Sequence, residues 1–204
     1  MSKYPIIVFE GVEGSGKSYH IKNIQKYLKK KKIKFIKLRE PGGTPSSEKI
    51  RRIILNNNSS FHKLTDLFLY IASRNENIQN KIKKNYKKKV ILIDRFTDST
   101  LAYQHYGMNI DKKLINNLNN IVLKNIKPNF TFLNIVSMKN LKIRLRKRLK
   151  KNRYDNFNLG FYNKAQKGFI NLSNKKNYMI INSDKEIFEN KKIIIKKINS
   201  LLNI

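Results

Sequence analysis

Cysteine is absent from all 204 residues, which excludes a disulfide frame, a cysteine-rich zinc site and a thiol nucleophile and accords with a reducing compartment. No apolar run approaches the ~20 residues that a membrane-spanning helix needs. The opening Met1-Ser2-Lys3-Tyr4-Pro5 leads straight into an apolar segment, leaving no room for a signal peptide. A soluble, cytoplasmic protein is the expectation. Histidine is scarce, and His20, His62 and His105 form no cluster, so none is assigned chemistry. Acidic side chains are few: 13 Asp and Glu stand against 45 Lys and Arg, a formal charge of +32. Such an excess ordinarily suggests a nucleic-acid binder, because basic surfaces release counterions from phosphate backbones. Here lysine is spread along the whole chain, in runs such as Lys29 to Lys32 and Lys87 to Lys89, amid abundant Asn and Ile. Compositional drift, as in AT-rich coding, produces that pattern, whereas a binding patch would be localised. A nucleic-acid partner is therefore not expected.

What the chain does have is concentrated near its start. Gly11-Val12-Glu13-Gly14-Ser15-Gly16-Lys17-Ser18 fits G-x-x-x-x-G-K-[ST], and it lies between the apolar run Pro5 to Phe9 and a helical pattern. Gly11, Gly14 and Gly16 let the backbone curl into a nest of N–H groups, and the following helix N-terminus adds partial positive charge. Lys17 is placed to reach β- and γ-phosphates, and the Ser18 hydroxyl to ligate the Mg²⁺ that accompanies them. A glycine-rich turn between strand and helix also occurs in α/β proteins without any nucleotide. Strand, complete motif and helix in the required order favour a nucleoside triphosphate.

Further on, Ile21, Ile24, Tyr27 and Leu28 recur at helical spacing, and Ile33 to Leu38 reads as a second strand. Arg39-Glu40-Pro41-Gly42-Gly43-Thr44-Pro45 is turn-forming. Ser46 or Ser47 is the expected cap of a helix through Ile50 and Leu55. A longer helix runs from Thr65 to Ile82. Val90 to Ile93 and Phe130 to Val136 are continuous apolar runs suited to strands buried on both faces, and Tyr178 to Ile181 is the last strand. Helices are expected near 99–106, after Asp111, over a basic stretch Lys139 to Leu149, up to Leu172, and from Glu186 to Leu202. Alternating strands and helices predict one α/β domain over residues 1–204. Its parallel sheet of five strands would be flanked by helices on both faces, with ligands at the carboxyl ends of the strands.

A phosphate loop alone does not choose among ATPase, GTPase and kinase. Nine of the 45 basic residues are arginine (39, 51, 52, 74, 95, 144, 146, 148 and 153). Where lysine is the default cation, a retained arginine marks a site that needs a planar fork. Arg39 follows the second strand and Arg95 the third, so both should share a rim with Lys17. Two guanidiniums separate from the loop suit a second phosphate-bearing substrate. Asp94, directly after an apolar strand, stands where a carboxylate holds Mg²⁺ or orients the attacking group; an ion pair with Arg95 is the alternative.

Arg39 to Thr44, then Asp94-Arg95 with Ser99-Thr100-Leu101-Ala102-Tyr103-Gln104, resemble the bacterial thymidylate kinases, and the resemblance spans nearly the whole chain. It implies the phosphate-loop kinase fold with a small lid at about 144–160, and Mg²⁺-dependent transfer of phosphate from ATP to dTMP, giving dTDP on the route to dTTP. By similarity, Arg39 and Arg95 would hold the dTMP phosphate and Glu13 would approach the sugar 3′-hydroxyl. Tyr70, where the family usually has Phe, would stack on thymine. Arg74, one helical turn on, would meet the O4 edge. Ser99, Tyr103 and Gln104 would surround the base. The family divides by whether its extra catalytic arginine sits in the phosphate loop or in the lid. Gly14 excludes the first type, while Arg144, Arg146, Arg148 and Arg153 match the second. Arg148 or Arg153 is the expected lid catalyst, with Tyr154 beside it as a substrate contact. Members are usually homodimers. The remaining alternatives are a kinase for another nucleotide or deoxynucleoside, or a basic ATPase that binds nucleic acid.

Overall fold

The computed structural model describes residues 4–204, so the part of the signal-peptide expectation that rests on Met1 to Lys3 lies outside the described residues. Five strands, β1 (Ile6–Glu10), β2 (Phe35–Arg39), β3 (Val90–Asp94), β4 (Phe130–Ile135) and β5 (Tyr178–Asn182), form one sheet in the order β2-β3-β1-β4-β5. Every neighbouring pair is parallel, as the alternation of strands and helices predicts. β1 is buried along its whole length. Its alternate residues feed opposite faces: Ile6 and Val8 pack with Leu67, Ile71 and Ile115, Ile7 and Phe9 with Ile21, Ile24 and Ile194. Helices α1 (Lys17–Lys30) and α9 (Ile187–Leu202) therefore cover one face, and α3 (Lys63–Asn77) and α6 (Lys112–Leu123) the other.

The remaining helices are α2 (Pro45–Leu55), α4 (Lys83–Asn85), α5 (Thr97–Thr100), α7 (Met138–Arg146) and α8 (Leu159–Leu172). Between α3 and α4 the helix widens into π-type turns over Ile78–Ile82, and α5 does the same over Leu101–Gly107. Two expectations need correction. Helix α2 is capped by Thr44, whose hydroxyl accepts from the Ser47 N–H at 3.1 Å, because Pro45 occupies the first helical position. Ser46 and Ser47 consequently lie inside the helix. The basic helix ends at Arg146, not Leu149. Arg148 thus lies beyond the helix rather than on it.

Candidate active site

Strand register lines up the chemistry. Arg39 lies opposite Asp94 across β2 and β3, and Asp94 opposite Phe9 across β3 and β1. Three strands therefore end level, and their next residues project from one edge of the sheet. Lys17, Arg39, Asp94 and Arg95 line a single cavity of about 540 Å³ there.

The glycine-rich loop carries the conformations its spacing requires: Gly11, Gly14 and Gly16 have φ of 131°, 70° and 87°. A Cβ on Gly11 would also stand 2.2 Å from the Asn134 carbonyl, so the loop is seated against β4. Val12 is buried, and so is Ser15, whose carbonyl accepts from the Ser183 hydroxyl at 2.6 Å. Lys17 Nζ donates to the Gly11 and Val12 carbonyls, both at 2.8 Å. Burial lowers Lys17 to about 8, Arg95 pushing the same way while Asp94, Glu13 and Glu10 oppose. Ser18 Oγ and Asp94 Oδ2 are 3.4 Å apart.

Arg95 has a left-handed φ of 66°, unusual for a side chain with a Cβ. Its Nη1 donates to the Gly11 carbonyl at 2.8 Å and to Ser99 Oγ at 3.3 Å, and its Nη2 pairs with Glu13 at 2.9 Å. Tyr103 donates its hydroxyl to the other Glu13 oxygen and lies beneath the Arg95 guanidinium. Burial pushes Glu13 up, but Arg95 and Lys17 outweigh it and hold the carboxyl below its usual value. Behind them Glu10, 1% exposed, accepts from the N–H of Phe96 at 2.7 Å and the Ser99 hydroxyl at 2.6 Å.

On the β2 side, Arg39 is forked onto Glu48 at the mouth of the cavity. Arg51 also lines the cavity, its Nη1 donating to the Pro41 carbonyl at 2.7 Å. Arg74 is 1% exposed. It bonds Glu40 at 2.7 Å, Asn119 at 2.6 Å, Thr100 at 2.9 Å and the Phe96 carbonyl at 3.0 Å, which engages four of its five N–H donors and fixes the guanidinium plane at the cavity wall. Tyr70, Gln104 and Tyr154 line the same wall, the two tyrosine rings edge to face at 6.2 Å. Gln104 Nε2 reaches the Tyr154 hydroxyl at 3.4 Å.

The two expected lid arginines part company. Arg148 lines the cavity and pairs with Asp155 at 2.6 Å. Arg153 does not line it: its guanidinium pairs with the buried Asp66 of α3 and lies over the rings of Phe61 and Tyr154. Held this way, Arg153 ties the segment after the basic helix to α3 and stands apart from the cavity where it was expected. Arg144, on α7, donates to the Gly14 carbonyl at 2.9 Å and the Ser183 carbonyl at 2.7 Å. With Ser183, Asp184, Lys185 and His20 it borders a second recess beside the loop. Glu10, Asp66 and the 183–185 turn escaped the sequence reading, and Arg51 was singled out there only as one of the nine retained arginines. A lone carboxylate ending the apolar run Ile6 to Phe9 was the one available signal, for Glu10.

Comparisons with known proteins point to a single family. A family model described as thymidylate kinase matches residues 9–194. A thymidylate kinase of Sulfurihydrogenibium sp. (strain YO3AOP1) is 36% identical over 193 residues, 93% of this chain and 94% of that protein. One from Thermosipho africanus (strain TCF52B) is 37% identical over 187 residues, 89% of this chain and 90% of the relative. The crystal structure of thymidylate kinase from Ehrlichia chaffeensis superposes with a TM-score of 0.77 at 30% identity, covering 96% of this chain and 98% of that one.

Proposed function

The chain belongs to the thymidylate kinase family and phosphorylates dTMP with ATP in nucleotide biosynthesis, and from that premise we propose how its side chains divide the work. The observation that carries the assignment is the meeting of Lys17, Arg39 and Arg95 around one cavity. ATP lays its phosphates on the amides of residues 11–18, its base in the recess beside Arg144 and the 183–185 turn. Lys17 exchanges its two loop carbonyls for β- and γ-phosphate oxygens. Arg39 and Arg95, joined by Arg51, aim the dTMP phosphate in line. Glu13, fixed by Arg95 and Tyr103, meets the sugar 3′-hydroxyl. Tyr70 stacks on thymine, Arg74 and Gln104 address its edge, and Ser99 and Tyr154 complete the walls.

Ser18 and Asp94 would hold Mg²⁺, which supplies neutralisation of phosphate charge when bound. Among the described residues no group of three or more His, Cys, Asp or Glu could form a metal cage. One carboxylate and one hydroxyl suit a cation that takes its other ligands from phosphates and water. The acceptor phosphate is already an anion, so no strong general base is needed; positioning and electrostatics carry the rate. Arg148, at the cavity edge on a segment outside any helix, closes over the transferring group.

The same proposal takes residues 1–204 as one cytoplasmic unit that pairs as a homodimer. Among the described residues no helix is long and apolar enough to cross a membrane. Ile53, Phe68 and Ile121, 48%, 52% and 69% exposed, lie on α2, α3 and α6, which pack in sequence and offer a face for a second copy. Sedimentation of the Phe68→Asp variant tests the pairing. A coupled assay over dTMP, dUMP, dCMP, dGMP and UMP tests the site, and activity led by any other of these nucleotides would overturn it.

A further inference from the structure

We propose that Glu10 is a positioning residue for the acceptor phosphate: its carboxylate bends the chain after β3 so that Arg95 points across the sheet edge at the glycine-rich loop. The proposal rests on the reading that Arg95 grips dTMP. Strands β1 and β3 stay in register as far as Phe9 and Asp94, and the Arg95 N–H still donates to the Phe9 carbonyl at 3.0 Å. The N–H groups of β3 point by turns to β2 and β1, Val90 to the Lys34 carbonyl and Arg95 to the Phe9 carbonyl, and the left-handed φ of Arg95 turns Phe96 out of that alternation. The Phe96 N–H would be left without an acceptor in the interior.

Glu10 fills that gap. Its Oε1 accepts from Phe96 N–H at 2.7 Å and Ser99 N–H at 3.3 Å, and its Oε2 accepts from the Ser99 hydroxyl at 2.6 Å. One carboxylate thus fixes the chain directly after Arg95, at Phe96 and Ser99, while the Phe9 carbonyl holds the N–H of Arg95 itself, the residue with φ of 66°. Ser99 Oγ also accepts from Arg95 Nη1 at 3.3 Å, so the clamp continues into the guanidinium itself. All three groups donate to Glu10; a carboxamide would keep the two acceptances at Oε1 but set an NH₂ group against the Ser99 hydroxyl in place of the charge-assisted bond at Oε2. Burial, reinforced by the Asp98 carboxylate, raises Glu10 to about 7. An apolar side chain here would avoid that cost, and the carboxyl is retained where it has donors to organise.

Steady-state kinetics on the full chain test this. Glu10→Gln is expected to raise KM for dTMP about tenfold, the scale of one lost charge-assisted bond, and to lower kcat, with KM for ATP within about twofold. In an Arg95→Ala background the same change is expected to add less than about twofold, because both act through one guanidinium. Equal losses for both substrates, or multiplicative losses with Arg95→Ala, overturn the proposal in favour of a general structural role. If Arg95→Ala leaves KM for dTMP unchanged, the underlying reading fails and the proposal with it. If Arg95→Ala raises KM and Glu10→Gln does not, this proposal alone fails. Should Glu10→Gln not fold, Ser99→Ala enters the same double-variant design with the same two outcomes.

Discussion

Arg39 and Glu48 meet fork to fork, with Nε to Oε1 at 3.2 Å and Nη2 to Oε2 at 2.8 Å. Glu48 also accepts from the Gly43 N–H at 2.8 Å, so it holds both the turn and the arginine at the cavity mouth. The guanidinium is thereby held in a fixed plane where the dTMP phosphate is proposed to bind. Arg39→Lys, which keeps the charge and loses the fork, is expected to lower kcat/KM for dTMP about 10- to 100-fold. Kinetics at saturating ATP check this, and wild-type behaviour would remove the argument from retained arginines.

Lys17 carries its own pH signature. Its ammonium is held at about 8 by burial in the free protein, and phosphates would raise it. Below about pH 7 the lysine is charged with or without nucleotide, and binding exchanges few protons. Between 8 and the raised value the free form is neutral, so binding takes up a proton and affinity falls as pH rises. Calorimetry with a non-hydrolysable ATP analogue in two buffers of different ionisation enthalpy checks the sign. Lys17→Ala is expected to cost about 10³-fold in kcat or more.

The lid arginines should separate in turnover. Arg148→Ala is expected to lower kcat about 10²-fold and to lower the melting temperature as well, since the buried Asp155 carboxylate loses its ionic partner and keeps the Asn152 N–H at 2.7 Å. Arg153→Ala leaves Asp66 buried without its ionic partner, Tyr154 still donating to it at 2.6 Å. The expected cost is about 2–3 kcal/mol of stability, with a smaller effect on kcat. Turnover beside thermal unfolding decides it, and a larger loss of kcat in Arg153→Ala would give the catalytic role to Arg153.

Tyr70 stands at the wall where the base is proposed to stack. Tyr70→Phe keeps the ring and is expected to hold KM for dTMP within about twofold, while Tyr70→Ala raises it about tenfold, the worth of one aromatic stack. Equal KM values in both variants would place thymine elsewhere.

Removal of divalent cation with EDTA is expected to abolish turnover, and Asp94→Asn to lower it with a raised Mg²⁺ requirement. Full activity without added cation would separate the Ser18–Asp94 pair from metal binding.

The sequence by itself determined the loop, the five parallel strands and the strand-end residues Arg39, Asp94 and Arg95, because each follows from periodicity and spacing within a few residues of chain. Local signals failed where two were in competition. Thr44 beat the serines as a cap because Pro45 fixes the first helical turn, and the basic helix stopped at Arg146 although its charges run on. The three-dimensional structure alone decided that Arg153 goes to Asp66 while Arg148 faces the cavity, that Arg51 joins the arginines, and that Glu10 ties the two strand ends together. Those pairings join residues dozens of positions apart, and a side chain's partner across that distance is set by strand register and helix packing, which a linear pattern of residue types does not record.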